Sequence, residues 1–284
     1  MEWRGRRGSG NIDDRRSMGA AGAGGIGVVG MLVVLAVGYF FGVDISPVVE
    51  AVDNGRAQQS GTPRELSEQE KEIGQFVSVV LADTEDVWNK QLPEQSGVNY
   101  VDPTLVMYSG IVQSACGTAQ SAMGPFYCPN DQRLYLDTDF FQLMQQKMNA
   151  GGDFAYAYVI AHEVGHHVQN LLGTLNKVNA MRQQVSEADS NHLSVLTELQ
   201  ADCYAGVWAH FANKQLGVVE QGDLENAIRA AGAVGDDVLM KEAGRTPMPD
   251  SFTHGSAAQR QEWLNRGYET GDLKQCDTFG AAGL

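Results

Sequence analysis

A chain of 284 residues with 43% hydrophobic and 8% aromatic content can bury one substantial core or two small ones, which excludes a wholly disordered polypeptide. Its net charge of -15 repels phosphate backbones at long range and argues against nucleic acid as a partner. No internal repeat at a fixed period is present.

The charge is unevenly placed. Residues 1–16 carry Arg4, Arg6, Arg7, Arg15 and Arg16 against Glu2, Asp13 and Asp14, and no charged residue occurs from Ser17 to Val43. The remainder holds 15 basic and 32 acidic side chains, a net of -17. Residues 26–43 are an unbroken apolar run, and the uncharged span around them, 27 residues, is long enough to cross a hydrocarbon core as a helix. Tyr39, Phe40 and Phe41 near its end favour a membrane interface. The run exceeds the roughly 7–15 residues of a signal-peptide core and Val49-Glu-Ala51 is a poor cleavage site, so it reads as an anchor. With arginines before it and Asp44, Glu50 and Asp53 after it, the positive-inside rule sets the N-terminus in the cytoplasm and the bulk of the chain in the periplasm or outside the cell, held to the cytoplasmic membrane. The expected organisation is an Arg-rich cytoplasmic tail (1–22), a transmembrane helix (23–43), a linker (44–63) and one domain (64–284).

In that domain Ser67-Glu-Gln-Glu70 is a capping box that opens a helix to about Gln91, with Ile73, Phe76, Val77, Val80 and Leu81 at helical spacing. Strands are predicted near Thr104–Tyr108 and Arg133–Leu136. Between them Cys116 and Cys128 bracket a Gly/Pro-containing loop and suit a loop-closing disulfide, which leaves Cys203 and Cys276 as a second pair; four cysteines nonetheless allow three connectivities. Asp137 or Thr138 can cap a helix to Met148. Further helices are predicted at Phe154–Leu172, Leu175 to about Val185, Leu193–Leu216, Asp223–Val234 and Ala257–Tyr268, the last opened by Ser256 with Gln259 three residues on. The fold class is α+β, mainly helical with a small sheet.

Inside the Phe154–Leu172 helix lies His162-Glu-Val-Gly-His166. Residues one turn apart share a face, so two imidazoles converge on one cation, and Zn²⁺ accepts nitrogen donors while leaving a position for water. Glu163 is then placed to take a proton from that water as it attacks a carbonyl, and to pass the proton to the leaving amine. Thr197-Glu-Leu-Gln-Ala-Asp202 offers Glu198 as third ligand, with Asp202 one turn on to accept the second ring N–H of a ligating histidine. Two carboxylates in so apolar a stretch need a partner, and a cation supplies one. Among the other histidines, His192 reads as solvated, His210 and His167 as structural. His254, in a loop before a helix that carries Arg260, is a candidate donor to a tetrahedral oxyanion.

Together these residues resemble the gluzincin pattern, His-Glu-x-x-His followed by Glu-x-x-x-Asp on a later helix. More closely the chain resembles the bacterial neutral zinc metallopeptidase family of membrane-anchored proteins. The resemblance runs from Trp3-Arg-Gly-Arg-Arg7 and Asp13-Asp-Arg-Arg16 through Gly124-Pro-Phe-Tyr-Cys-Pro129, Tyr135-Leu-Asp137 and the His162 motif to Glu198-Leu-Gln-Ala-Asp-Cys-Tyr-Ala-Gly206 and Thr253-His-Gly-Ser256. It implies a zincin-like fold, a peptide or protein substrate, and the Arg133–Leu136 strand as the edge along which a peptide lies. Two readings share the motif: a non-catalytic domain that uses zinc for structure and binds envelope partners, and an amidase acting on cell-wall peptides.

Overall fold

The structure, a computed structural model, describes residues 1–17, 64–120 and 124–284. The expected transmembrane helix (23–43) and linker (44–63) lie outside the described residues, and among the described ones no helix is long and apolar enough to cross a membrane.

Strand β1 (Ile12–Asp14) precedes helix α1 (Glu68–Ser96). The Ser67 hydroxyl accepts from the Glu70 N–H and the Glu70 carboxylate accepts from the Ser67 N–H, the reciprocal cap read from the sequence. The helix continues past Gln91, tolerating Pro93 in its last turn, until Gly97 closes it at φ 76°. Strands β2 (Thr104–Tyr108) and β6 (Arg133–Asp137) fall where expected; β3 (Ile111–Ser114), β4 (Gly117–Gln120) and β5 (Phe126–Cys128) between them are too short to carry an alternation signal. The main sheet runs β1-β2-β6-β5, with β1, β2 and β6 parallel and β5 antiparallel to β6. The Arg133–Leu136 segment is therefore no edge: β2 and β5 flank it on both sides, and the edges of the sheet are β1 and β5.

Residues 1–17, read from the sequence as a tail apart from the 64–284 domain, pack into it. β1 pairs with β2 in the register Ile12↔Leu105 to Asp14↔Met107, and Trp3 is 3% exposed against Phe76.

The rest is helical: α2 (Asp139–Lys147), α3 (Asp153–Leu171), α4 (Thr174–Arg182), α5 (Glu187–Phe211), α6 (Asp223–Ala233), α7 (Asp236–Glu242), α8 (Ala257–Thr270) and the short α9 (Thr278–Ala281). α5 starts earlier than Leu193 because Ser186 accepts from the Asp189 N–H, and Glu187 and Asp189 suit the positive helix end. Its expected last turn, Ala212–Leu216, is a π-helical turn closed by Gly217. α3 and α5 bury apolar residues all round and form the centre of the core, where Phe154 stacks on Trp208 at 5.8 Å. α8 lies against α5 backbone to backbone: a Cβ on Gly206 would overlap the Leu264 carbonyl, and one on Gly267 the Cys203 carbonyl.

Both disulfides form, Cys116–Cys128 and Cys203–Cys276. The second ties α5 to the C-terminal segment across a sequence separation of 73. By loop-closure entropy, the Cys203→Ser/Cys276→Ser variant should lose about 4 kcal/mol of stability, read as a lower urea midpoint. An unchanged midpoint would contradict this.

Candidate metal centre

Helix α3 supplies the first two candidate ligands and α5 the third, and Gly165 lets the helices meet. A Cβ at that position would stand 2.9 Å from the Ala201 carbonyl oxygen, so a larger residue there would push α5 away. With the helices this close, Glu198 reaches both imidazoles: its Oε2 lies 3.1 Å from His162 Nε2 and its Oε1 3.4 Å from His166 Nε2. One donor atom from each of the three lies within 4.8 Å of the others. The two rings stand nearly perpendicular, 86° between planes, with centroids 4.8 Å apart.

The second ring nitrogen of each ligand is held as well. His162 Nδ1 donates to Asp202 Oδ1 at 2.8 Å, which leaves Nε2 as the nitrogen available to a cation. His166 Nδ1 donates to Gln169 Oε1 at 2.9 Å; Gln169 in turn donates to Gln200, and Gln200 to the Cys276 carbonyl. The orientation of His166 thus ends on the disulfide-bonded segment. Gln169 was not singled out in the sequence, although its spacing of three from His166 on one helix puts it in reach.

Asp202 is completely buried and has partners besides His162. Arg260 from α8 grips it with two bonds, Nε to Oδ2 at 2.8 Å and Nη2 to Oδ1 at 3.0 Å, while the Tyr158 hydroxyl donates to Oδ1 at 2.6 Å. Burial would raise the Asp202 pKa, but the Arg260 charge and His162 outweigh it and hold the carboxylate below its usual range. Burial likewise opposes charge on His162, yet the Asp202 and Glu198 carboxylates overcome it and push the imidazole up to about 10. Glu198 also resists burial and stays well below the usual carboxylate range through His166 and His162. The Glu198 and Asp202 carboxylates around these imidazoles are negative charges that a cation between the three side chains would balance. Two neutral-nitrogen donors, one carboxylate and a hydrogen-bonded outer layer fit zinc.

Glu163 differs from its neighbours. It is 9% exposed, burial raises its pKa, and no hydrogen bond or ion pair joins it to another described residue. It lines, with His162, His166, Glu198 and His254, a cleft of about 670 Å³. The lining also includes the apolar Phe126, Phe140, Leu143, Val178 and Leu239, with β5 contributing Phe126 and Tyr127.

His254 sits at the cleft, half exposed, and is fixed by Asp236 from α7, the helix missed in the sequence. Asp236 accepts the backbone N–H groups of Thr253, His254 and Gly255 on Oδ2 and faces His254 Nδ1 at 3.2 Å through Oδ1. That hydrogen bond raises the His254 pKa against burial. The remaining histidines fall as expected: His167 is buried, its Nε2 donating to the Val101 carbonyl and its Nδ1 accepting from Tyr127; His210 bonds the Tyr268 carbonyl; His192 is exposed.

Residues 1–279 match a family described as "putative neutral zinc metallopeptidase". The chain is 49% identical to the uncharacterized protein YpfJ of Escherichia coli over 99% of both chains. It is 47% identical to the uncharacterized protein Rv2575 of Mycobacterium tuberculosis, over 70% of this chain and 68% of that one. No solved structure matches.

Proposed function

Because the chain belongs to the neutral zinc metallopeptidase family, we propose that it is a zinc-dependent peptidase acting on peptide or protein substrates outside the cytoplasmic membrane. The observation that carries this reading is Glu163, a carboxylate with no structural partner among the described residues, at the mouth of the ligand trio. A site serving structure alone has no use for it. Zinc, when bound, supplies a Lewis acid and lowers the pKa of water towards neutrality. Glu163 takes the proton of the attacking water, and its raised pKa suits it to return that proton to the leaving amine.

A peptide in extended form adds to the free edge of β5, whose Phe126 and Tyr127 face the cleft, and its apolar side chains enter the wall formed with Phe140 and Leu239. This sheet with an antiparallel edge strand, beside the motif helix and a separate helix for the third ligand, supports a zincin-like fold. The two disulfides support an oxidising compartment, and the apolar run of residues 26–43 supports attachment to the membrane.

His254 donates to the oxyanion. In its neutral form the proton facing Asp236 occupies Nδ1 and leaves Nε2 without one, so only the imidazolium can donate into the cleft. His254→Ala is therefore expected to lower kcat about 10²–10³-fold with zinc content unchanged. Asp236 keeps His254 charged to higher pH, so Asp236→Asn should move the alkaline fall of kcat to lower pH. An alkaline limb that stays in place in Asp236→Asn would remove His254 from this role. The experiment for the reading as a whole is digestion of a peptide library by the zinc-loaded chain with and without chelator. Chelator-sensitive cleavage supports it; binding of envelope material without cleavage favours a zinc-stabilised binding module, and release restricted to cell-wall peptides an amidase.

A further inference from the structure

We propose that residues 1–17 lie on the same side of the membrane as the metal-bearing body, and that the chain reaches and leaves the bilayer at one place on that body, marked by Ser17 and Arg64. The arginines ahead of the apolar run led to the opposite expectation, a cytoplasmic tail. In the structure those arginines are used inside the fold. Arg4 pairs with Glu72 at 2.6 Å, Arg6 with Asp83 and Arg7 with Asp86, both at 2.7 Å, so three of them close on helix α1. Arg15 and Arg16 pair with Asp13 and Asp14, and the Arg16 guanidinium also donates to the Glu70 carbonyl, lying where a side chain at Gly74 would sit.

The backbone says the same. Ser9 N–H donates to the Ser78 carbonyl at 2.9 Å, Leu105 N–H to Asn11 at 2.9 Å and Arg15 N–H to Met107 at 2.8 Å, which makes β1 a member of the sheet that supports the cleft. The Trp3 indole donates to Asp153, the first residue of the metal-binding helix α3. Neither set of bonds can form across a bilayer.

Distance decides between the two topologies. A segment that crosses the membrane once leaves its ends at least the thickness of the hydrocarbon core apart, about 30 Å. The residues on either side of 18–63 are joined by a hydrogen bond: the Arg64 N–H donates to the Ser17 carbonyl at 3.0 Å. Ser17 and Arg64 therefore belong to one face of the membrane. Given the disulfides of the body, that face is the outer one, and the partner at the Ser17–Arg64 mouth is a lipid surface.

The full-length chain in its native membrane tests this with new thiols, since all four cysteines of the sequence are already paired. A Cβ built on Gly8 stands 3.5 Å from the Cβ of Ser78, within disulfide range. Gly8→Cys/Ser78→Cys should cross-link on mild oxidation of intact spheroplasts, losing both thiols to a maleimide mass tag. Separately, the exposed single variants Gly10→Cys and Ser251→Cys should both react with a membrane-impermeant maleimide before detergent is added. Labelling of Ser251→Cys with protection of Gly10→Cys until detergent is added would overturn the proposal. Gly8/Ser78 thiols that stay free under oxidation would overturn it too.

Discussion

Replacing Glu163 with Gln is expected to leave one zinc bound per chain and to lower peptide hydrolysis by about 10²–10⁴-fold. The substitution keeps the shape of the side chain and removes only its ability to accept a proton. Nothing in the fold depends on the charge: Glu163 has no hydrogen-bonded or ion-paired partner among the described residues, and its burial already disfavours the ionised form. Stability should therefore be unchanged or slightly higher. Three results are separable by metal analysis and a single peptide assay. Zinc retained with hydrolysis lost agrees with the assignment, zinc lost would make Glu163 a ligand, and parental hydrolysis would remove it from the chemistry.

Asp202→Ala should cost about 3–5 kcal/mol of stability, because it leaves the Arg260 charge buried without its carboxylate. It should also weaken zinc binding about 10–100-fold, since His162 loses the acceptor that fixes its tautomer. The two effects part company in a second variant. Asp202→Leu/Arg260→Met removes both charges at similar volume and should recover much of the unfolding free energy, while zinc affinity stays low. Urea unfolding of the metal-free proteins measures the first, and competition with a chromophoric chelator the second. Recovery of zinc affinity in the double variant would show that Asp202 acts by neutralising Arg260 rather than by orienting His162.

How far the sequence carried each part depends on the range of the interactions involved. His162, Glu163 and His166 were legible because helical periodicity alone aligns them. Glu198 and Asp202 followed because two carboxylates one turn apart in an apolar helix demand a cation and a donor. Arg260 could be noticed but not assigned, since its partner lies 58 residues away on another helix. Asp236 escaped notice because α7 is a seven-residue helix between glycine-bounded turns, with too little periodicity to announce itself. The edge strand was misjudged for a similar reason: Phe126–Cys128 is three residues long, whereas Arg133–Asp137 looks like a strand by itself. The pairing of the arginines of residues 1–16 inside the fold was not legible either. Next to an apolar run they fit a topology signal, while the α1 carboxylates that pair with them stand 68 to 79 positions further on.

Cleavage of an unbiased peptide library by the zinc-loaded full-length chain, read by mass spectrometry with and without chelator and beside Glu163→Gln, tests zinc-dependent peptide hydrolysis through Glu163. New peptide termini are expected at apolar residues, abolished by chelator, restored by zinc and absent in Glu163→Gln. A zinc-loaded chain that yields no chelator-sensitive termini, or the same termini from Glu163→Gln as from the parent, would contradict it.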